Sequence, residues 1–155
     1  MKFLADRMLG KLAKHLRILG FDVEYCADVE ESEIIKMVDK SGRILLTRDT
    51  GLFARIKDKS KVYFIKSDLW RSQLKSVMKR FDISSEDIHC FSRCTVCNVL
   101  LEPVSREFVR GKVPEYTYST HERFYTCPKC GRIYWKGTHI EHMEEEMMKL
   151  FGSVC

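Results

Sequence analysis

Four cysteines form two close pairs, Cys94–Cys97 and Cys127–Cys130, with two residues inside each pair. This spacing lets both sulfurs of a pair point at one centre from a tight turn. Two such turns supply the tetrahedral thiolate set that zinc prefers. Asn98 and Gly131 follow the pairs, and both residue types accept the left-handed backbone that such turns need. Because four thiolates leave no position for water, the pattern predicts a structural zinc site.

The 29 residues between the two pairs exceed the usual short spacing and predict a zinc ribbon with a long inserted hairpin. Two disulfides in a secreted protein are the alternative interpretation, but the chain shows no signal-like segment. Cys26, Cys90 and Cys155 are an odd, scattered set that predicts no disulfide framework. Cys90 lies four residues before Cys94 and is an alternative zinc ligand. The cysteine usage predicts a reducing, cytoplasmic compartment, and no apolar run is long enough to span a membrane.

The positive charge of this 155-residue chain is concentrated in its first half. Residues 1–80 carry 18 Lys and Arg against 11 Asp and Glu, a net charge of +7. Residues 81–155 carry 9 against 11, a net charge of −2. A basic excess of this kind indicates a polyanionic partner such as RNA or DNA, with a merely soluble basic surface as the alternative.

Strand-like and helix-like segments alternate four times in the first eighty residues. This order predicts an α/β fold, in which a parallel sheet is sandwiched by helices on both faces. The predicted strands are 2–5, 22–27, 43–47 and 61–65, and the predicted helices follow them near 9–19, 31–40, 52–56 and 70–81. The polar segment 82–89 breaks the alternation. We therefore predict an α/β domain over 1–82 and a zinc ribbon over 83–155, with a C-terminal helix over 140–150.

Acidic residues follow every predicted strand. Asp6 and Asp49 follow the first and third strands, Asp28 and Glu31 the second, and Asp68 the fourth. If the first strand is central and the third lies beside it, Asp6 and Asp49 face each other across the crevice where open parallel sheets bind ligands. Carboxylates suit Mg²⁺ or Mn²⁺ rather than zinc. Any single aspartate after a strand has a structural alternative as a helix cap, which applies to Asp28 and Asp68.

Four sequence blocks together resemble a known family. They are residues 3–20 (FLADRMLGKLAKHLRILG), 43–49 (RILLTRD), 93–98 (RCTVCN) and 124–139 (FYTCPKCGRIYWKGTH). In this order they are similar to the PIN-type ribonuclease domain at the C-terminus of mutator-class exonucleases. The resemblance covers nearly the whole chain.

That resemblance implies a PIN-like α/β fold with a zinc ribbon and divalent-metal-dependent cleavage of RNA. Asp6 and Asp49 match the family's acidic positions, and both are expected to hold Mg²⁺ or Mn²⁺. Glu31 falls where the family tends to have Asp, with Glu30 or Glu33 as alternatives. Asp68 is the candidate for a fourth catalytic acid. The family, and not the spacing of residues, is what indicates RNA as the partner.

Basic residues near the acids are candidates for phosphate contacts. Arg7, Lys11 and Lys14 recur at helical spacing beyond Asp6, Arg17 extends that row, and Arg48 precedes Asp49. An ordinary solvated helix face is the alternative. Among the aromatic residues, Tyr134 and Trp135 are candidates for base stacking, with packing of the small ribbon core as the alternative.

Two other functional classes compete with a metal-dependent ribonuclease. The first is a non-catalytic RNA-binding zinc-ribbon protein with a degenerate PIN-like domain. The second is a phosphoacceptor receiver-like domain, because Asp49 follows a third strand. The receiver class normally has an acidic pair after its first strand, whereas here Asp6 is followed by Arg7. The sequence makes no prediction of the oligomeric state.

Overall fold

The structure is a computed structural model that describes residues 1–137 and residues 145, 146, 148, 149 and 152. The helix predicted over 140–150 falls largely outside these described residues. None of the helices in the described part is long and apolar enough to cross a membrane.

Strands and helices alternate along the first half as the hydrophobic pattern predicts. The strands are β1 (Lys2–Asp6), β2 (Asp22–Cys26), β3 (Ile44–Thr47) and β4 (Val62–Phe64). The helices are α1 (Gly10–Ile18), α2 (Glu31–Ser41), α3 (Thr50–Arg55) and α4 (Trp70–Arg80). A short 3₁₀ turn, Arg7–Leu9, separates β1 from α1. The observed bounds differ from the predicted ones by a few residues, mainly at the ends where hydrogen bonding changes type.

The four strands form a parallel sheet in the order β2-β1-β3-β4. Chain order reverses between β1 and β3, because the strand after β1 lies on one side of it and the next strand on the other. Open α/β sheets form their ligand crevice outside the carboxyl ends of the strands at such a reversal. The predicted parallel sheet is confirmed.

Apolar side chains cover both faces of this sheet. Phe3 and Leu46 point to one face, where they pack with α1 and α4, and Leu4 and Leu45 point to the other, where they pack with α2 and α3. Strands buried on both faces have continuous apolar runs instead of alternation, which is why Ile44–Thr47 was the clearest strand in the sequence.

The second half forms a three-stranded antiparallel sheet in the order β5-β6-β7. Its strands are β5 (Glu102–Val104), β6 (Phe124–Thr126) and β7 (Ile133–Tyr134). The insertion between the cysteine pairs differs from a simple hairpin, because the connection from β5 to β6 contains two short helices, α5 (Arg106–Val109) and α6 (Glu115–Thr120).

Hydrogen bonds tie the first cysteine turn to the α/β half. The Arg17 guanidinium is buried and donates to the carbonyl of Val23 at 2.9 Å and to that of Thr95 at 2.9 Å. The Asn98 side chain accepts from the Val23 amide at 2.9 Å and donates to the Asp22 carboxylate at 2.7 Å. The expectation that Arg17 extends a row of phosphate contacts is therefore wrong, since its guanidinium is used inside the protein.

The segment after Asp82 also packs on the α/β half. Ile88 belongs to the core that α1 and α4 cover. The amides of His89 and Phe91 donate to the carbonyls of Leu19 and Ile18 at 3.0 and 2.8 Å. The division into residues 1–82 and 83–155 stays a prediction, and these bonds show that the polar segment is anchored to α1.

Candidate active site and zinc centre

Two aspartates meet at the carboxyl edge of the sheet, where the strand order reverses. Asp6 is the last residue of β1, and Asp49 follows the end of the neighbouring β3. Thr47 connects them, because its hydroxyl donates to Asp6 Oδ2 and accepts from the Asp49 amide at 3.0 Å. The fold thus places the two acids at adjacent strand ends.

The Asp6 carboxylate is held by the backbone around it. Asp6 is 3% exposed, its Oδ1 accepts from the Met8 amide at 2.9 Å, and its Oδ2 accepts from the Arg48 amide at 3.0 Å. Together with Thr47 this makes three donors, which compensate the cost of burying a carboxylate. Asp6 therefore has a structural role in addition to any chemical one.

Asp49 is held by fewer bonds. It is the N-cap of α3, and its Oδ1 accepts from the Leu52 amide at 3.0 Å. Among the described residues, no hydrogen bond or ion pair reaches the Asp49 Oδ2. This leaves one carboxylate oxygen of Asp49 available to a ligand in the crevice.

A cavity of about 590 Å³ opens at this edge and is rich in carboxylates. Its acidic lining residues are Asp6, Asp28, Glu30, Glu31 and Asp49. One basic side chain, that of Arg7, also lines it. Carboxylate oxygens together with one cationic side chain suit a divalent ion and an anionic ligand.

The remaining predicted acids divide into two groups. Glu31 lines the cavity, although its carboxylate also pairs with Arg55 at 2.8 Å. Glu30 lines the cavity too, whereas Glu33 is absent from the lining and pairs with Lys36 at 3.8 Å. Asp68 is exposed and does not line the cavity, so the structure does not bring this candidate to the other acids.

Asp28 is a lining residue that follows a predicted strand and for which a helix cap was the alternative role. In the structure, Glu30 occupies the cap position of α2, and no side chain bonds there. Asp28 faces the cavity instead. Its place in the lining agrees with its position after β2, at the same sheet edge as Asp6.

The acids are spread around the cavity rather than gathered on one point. Within the described part of the chain, the four cysteines are the only group of three or more candidate ligands with ligand atoms near enough to share one ion. Mg²⁺ commonly binds through one or two carboxylates, keeps several waters and contacts substrate phosphates. The carboxylates that line the cavity are donors of the type that such an ion prefers, and Asp6 and Asp49 are among them.

The predicted phosphate contacts also differ in their surroundings. Arg7, Lys11 and Lys14 are exposed, and Lys11 and Lys14 lie on α1 just beyond Asp6. Arg48 is half-buried, and its guanidinium donates to the carbonyls of Ile65 and Lys66 at 3.3 and 2.7 Å. Arg48 thus fixes the loop after β4, and its predicted contact with phosphate stays a prediction.

The four cysteine sulfurs gather at one point. All four lie within 4.8 Å of one another, and Cys94 Sγ is 3.8 Å from Cys130 Sγ. A zinc tetrahedron with Zn–S distances of about 2.3 Å has sulfurs about 3.8 Å apart. The cluster is therefore compatible with zinc, and the structure brings together the four cysteines that the sequence predicted as a set of ligands.

The backbone turns around these sulfurs have the predicted form. The Cys97 amide donates to Cys94 Sγ at 3.3 Å, and the Cys130 amide donates to Cys127 Sγ at 3.4 Å. The residues that follow have φ angles of 66° at Asn98 and 75° at Gly131. Both angles are in the left-handed region that asparagine and glycine tolerate.

Neighbouring groups favour thiolates at part of this site. Hydrogen bonds from the backbone and side chain of Arg132 lower the pKa of Cys130 to about 6. Burial and the adjacent sulfurs raise the pKa of Cys97 to about 12. Four clustered sulfurs repel one another as anions, so full ionisation requires a cation.

Two further residues clarify the ligand set. The Tyr134 hydroxyl lies 3.0 Å from Cys94 Sγ, which gives this ring a supporting role in the ribbon. Cys90, the alternative ligand, is not part of the cluster. Cys90 is disulfide-bonded, a bond that the scattered spacing of the remaining cysteines did not predict.

A parallel sheet with acids at its point of reversal, joined to a four-cysteine cluster that could hold a metal ion, defines an α/β protein with two candidate sites. The family model described as the Mut7-C RNAse domain matches residues 1–147. The chain therefore belongs to this family, as its resemblance suggested. Neither the comparison with curated proteins nor that with solved structures gives a match.

Proposed function

We propose that this protein is a divalent-metal-dependent ribonuclease that hydrolyses RNA phosphodiesters at the acidic cavity. Membership of the Mut7-C RNAse domain family supports a ribonuclease-type function. The observation that carries the metal-dependent reaction is the meeting of Asp6 and Asp49 at adjacent strand ends, linked by Thr47. A structural zinc held by the four cysteines is part of the same proposal.

The residues of the cavity have distinct tasks in this proposal. The three donors to Asp6 hold its carboxylate in place, and the cap bond from the Leu52 amide holds Asp49 Oδ1, which leaves Asp49 Oδ2 for the ion. Mg²⁺ or Mn²⁺ bound there supplies a Lewis acid and lowers the pKa of water. Arg7 at the rim contacts a phosphate and positions the strand without reading its sequence.

Asp49→Asn is the variant that tests this proposal. Asparagine is an equally good helix cap, so its Oδ1 still accepts from the Leu52 amide while the negative charge is removed. Cleavage of labelled single-stranded RNA with Mn²⁺ should fall on the order of 100-fold or more. Asp6→Asn is a poorer choice, because an amide nitrogen cannot accept the bonds that the Asp6 oxygens receive.

Asp58→Asn is the matched control. Asp58 also caps a helical turn, accepting from the Ser60 amide at 3.0 Å, and it lies outside the acidic cavity. This variant should cleave RNA as the wild type does. Full activity in Asp49→Asn, or cleavage that needs no divalent ion, would contradict the proposed reaction.

A non-catalytic RNA-binding protein is the second candidate. Its supporting observation is that both oxygens of Asp6 already accept hydrogen bonds from the protein. RNA binding by the wild type without cleavage under Mg²⁺ or Mn²⁺ would favour this candidate over the ribonuclease.

A further inference from the structure

A second cavity, of about 740 Å³, lies between α1 and the three-stranded sheet, and its lining is mainly apolar. Four aromatic side chains line it, those of Phe91, Tyr125, Tyr134 and Trp135, and all four are partly exposed. We call this cavity the aromatic cleft. Partly exposed rings around one cavity offer flat faces to a flat ligand.

The charged side chains around the aromatic cleft have one sign. The described lining includes Lys14, Arg93, Arg123 and Lys136 and no Asp or Glu. The acidic cavity at the sheet edge has the opposite character, with five carboxylates. A ligand with flat apolar groups and a negative backbone fits the aromatic cleft, and single-stranded nucleic acid has that chemistry.

The ribbon holds two of these rings in fixed positions. The Tyr134 hydroxyl lies 3.0 Å from Cys94 Sγ in the cysteine cluster. The Trp135 ring packs against Phe124, with ring centroids 6.5 Å apart. Rings fixed before binding lose little conformational entropy when a ligand stacks on them, so the cleft is preorganised.

Helix α1 connects the two cavities. Arg7, just before α1, lines the acidic cavity, and Lys14 lines the aromatic cleft. Lys11 lies between them in sequence, and all three side chains are exposed. Arg7 lies in the 3₁₀ turn that leads directly into α1, and Lys11 and Lys14 lie in the first two turns of α1. One strand of nucleic acid can therefore contact both cavities through this basic row.

We propose that the aromatic cleft binds the bases of a single RNA strand whose backbone crosses α1 toward the acidic cavity. The choice of RNA rests on the proposed function, whereas the preference for a single strand rests on the cleft. Bases in a duplex are already stacked and paired, and they cannot enter an aromatic-lined cleft. The cleft thus selects single-stranded over double-stranded RNA.

The test compares the two tryptophans of the chain. Trp135 lines the cleft, whereas Trp70 is stacked on His15 outside it, with ring centroids 3.8 Å apart. Binding of a labelled oligouridylate of about ten nucleotides is measured by fluorescence anisotropy without added Mg²⁺ or Mn²⁺, so that no cleavage is required. Trp135→Leu should weaken binding about ten-fold or more, and Trp70→Leu should leave it unchanged.

A second variant separates stacking from charge and does not alter the ribbon's packing. Arg123 is exposed at the cleft, so Arg123→Ala should lower the slope of log affinity against log salt by about one. Trp135→Leu should leave that slope unchanged, because stacking releases no counterions. Zinc content of each variant, measured by elemental analysis, shows whether the ribbon is intact.

Three results would overturn this inference. They are wild-type affinity in Trp135→Leu with intact zinc, equal affinity for duplex RNA, and equal affinity for an abasic sugar-phosphate chain of the same length. Trp135-dependent binding by a protein that cleaves no RNA would support the cleft and refute the proposed ribonuclease. Normal Asp49-dependent cleavage, together with unchanged RNA binding in Trp135→Leu and Arg123→Ala, would support the proposed ribonuclease and refute the aromatic cleft as an RNA-binding site.

Discussion

Single residues in this protein connect the local backbone to distant parts of the chain. Asp6 caps the turn Arg7–Leu9 and also accepts from Thr47 and Arg48 at the end of β3. Gly20 lies just after the end of α1, and its Cα is close to the backbone of His89 in the segment that follows α4. At both positions the residue type is set by a contact more than forty residues away as well as by its neighbours.

Gly20→Ala should destabilise the protein strongly. Gly20 has a φ of +94°, and an added Cβ would collide with the backbone carbonyl oxygen of His89. A left-handed alanine costs about 1–2 kcal/mol, and an overpacked contact adds about 1–3 kcal/mol. Urea unfolding should therefore show a loss of about 3 kcal/mol.

Gly42→Ala is the control for this substitution. Gly42 has a φ of +66°, but its added Cβ meets no atom within 4 Å. It should lose only the conformational part, about 1–2 kcal/mol. Equal losses in the two variants would show that the approach of His89 does not constrain Gly20.

At the scale of elements, β2 is the strand on which the first cysteine turn rests. The Asp22 carboxylate accepts from Arg43 at 2.7 Å and from the Asn98 side chain at 2.7 Å. Burial raises the pKa of Asp22, but the hydrogen bonds from Arg43 and Asn98 outweigh it and the net pKa is lowered. The ionised form of Asp22 therefore stabilises the junction between β2, β3 and the ribbon.

Asp22→Asn should make the free energy of unfolding less dependent on pH in the acidic range. Because the folded pKa is lowered, the ionised carboxylate stabilises the protein above its ordinary pKa of 3.8, and this contribution is lost as pH falls through the folded value. The variant should be about 1–2 kcal/mol less stable at pH 7, and the difference should shrink below about pH 4. Urea unfolding at pH 7, 5 and 3 measures this difference.

Asp39→Asn is the control for the pH series. Asp39 is exposed, and its carboxylate lies 3.9 Å from Lys61. Surface pairs of this kind contribute about 0–1 kcal/mol, so stability should change little at any pH. A difference between wild type and Asp22→Asn that stays constant from pH 7 to pH 3 would contradict the role assigned to Asp22.

At the scale of the whole molecule, the two halves are built differently. The α/β half has a hydrophobic core on each face of its sheet, whereas the ribbon is organised around the four-cysteine cluster. The ribbon sheet is small, and two of its three strands have three residues and the third has two. Such a module buries little apolar surface, so we expect its folding to depend on a metal ion bound by the four cysteines. The hydrogen bonds of Arg17 and Asn98 link the ribbon to α1 and β2, so unfolding of the ribbon would remove hydrogen-bond partners from both elements.

Cys127→Ser should release the zinc and unfold the ribbon. Structural zinc contributes on the order of 10 kcal/mol to the folding of small modules. The α/β half should stay folded but lose about 1–3 kcal/mol, since the Val23 amide and the Arg17 guanidinium lose partners. Elemental analysis and hydrogen exchange at β2 measure the two effects.

Cys26→Ala is the matched control for the zinc experiment. Cys26 is buried in the α/β core and lies outside the cluster. This variant should keep its zinc and lose only core packing. A Cys127→Ser protein that retains one zinc per chain would contradict the ligand assignment.

Features that depend on local spacing could be predicted from the sequence alone. The two-residue gaps in Cys94–Cys97 and Cys127–Cys130 fix where the sulfurs point, and the left-handed residues after them follow from the same turns. Apolar periodicity likewise indicates which segments are strands and which are helices. A helix here buries one apolar stripe, whereas a strand of the covered sheet is buried on both faces. Asp6 and Asp49 could be predicted as neighbouring acids, because residues that follow two adjacent parallel strands lie at the same edge of the sheet.

Which of these elements are neighbours could be seen only in the folded protein. The order β2-β1-β3-β4 brings Asp6 beside Asp49 and excludes Asp68 from the cavity. The burial of Arg17 and the meeting of α1 with Trp135 at the aromatic cleft also depend on contacts between segments far apart in sequence. Periodicity indicates which face of an element is buried but not which other element covers it. These contacts between distant segments could therefore not be predicted from the sequence.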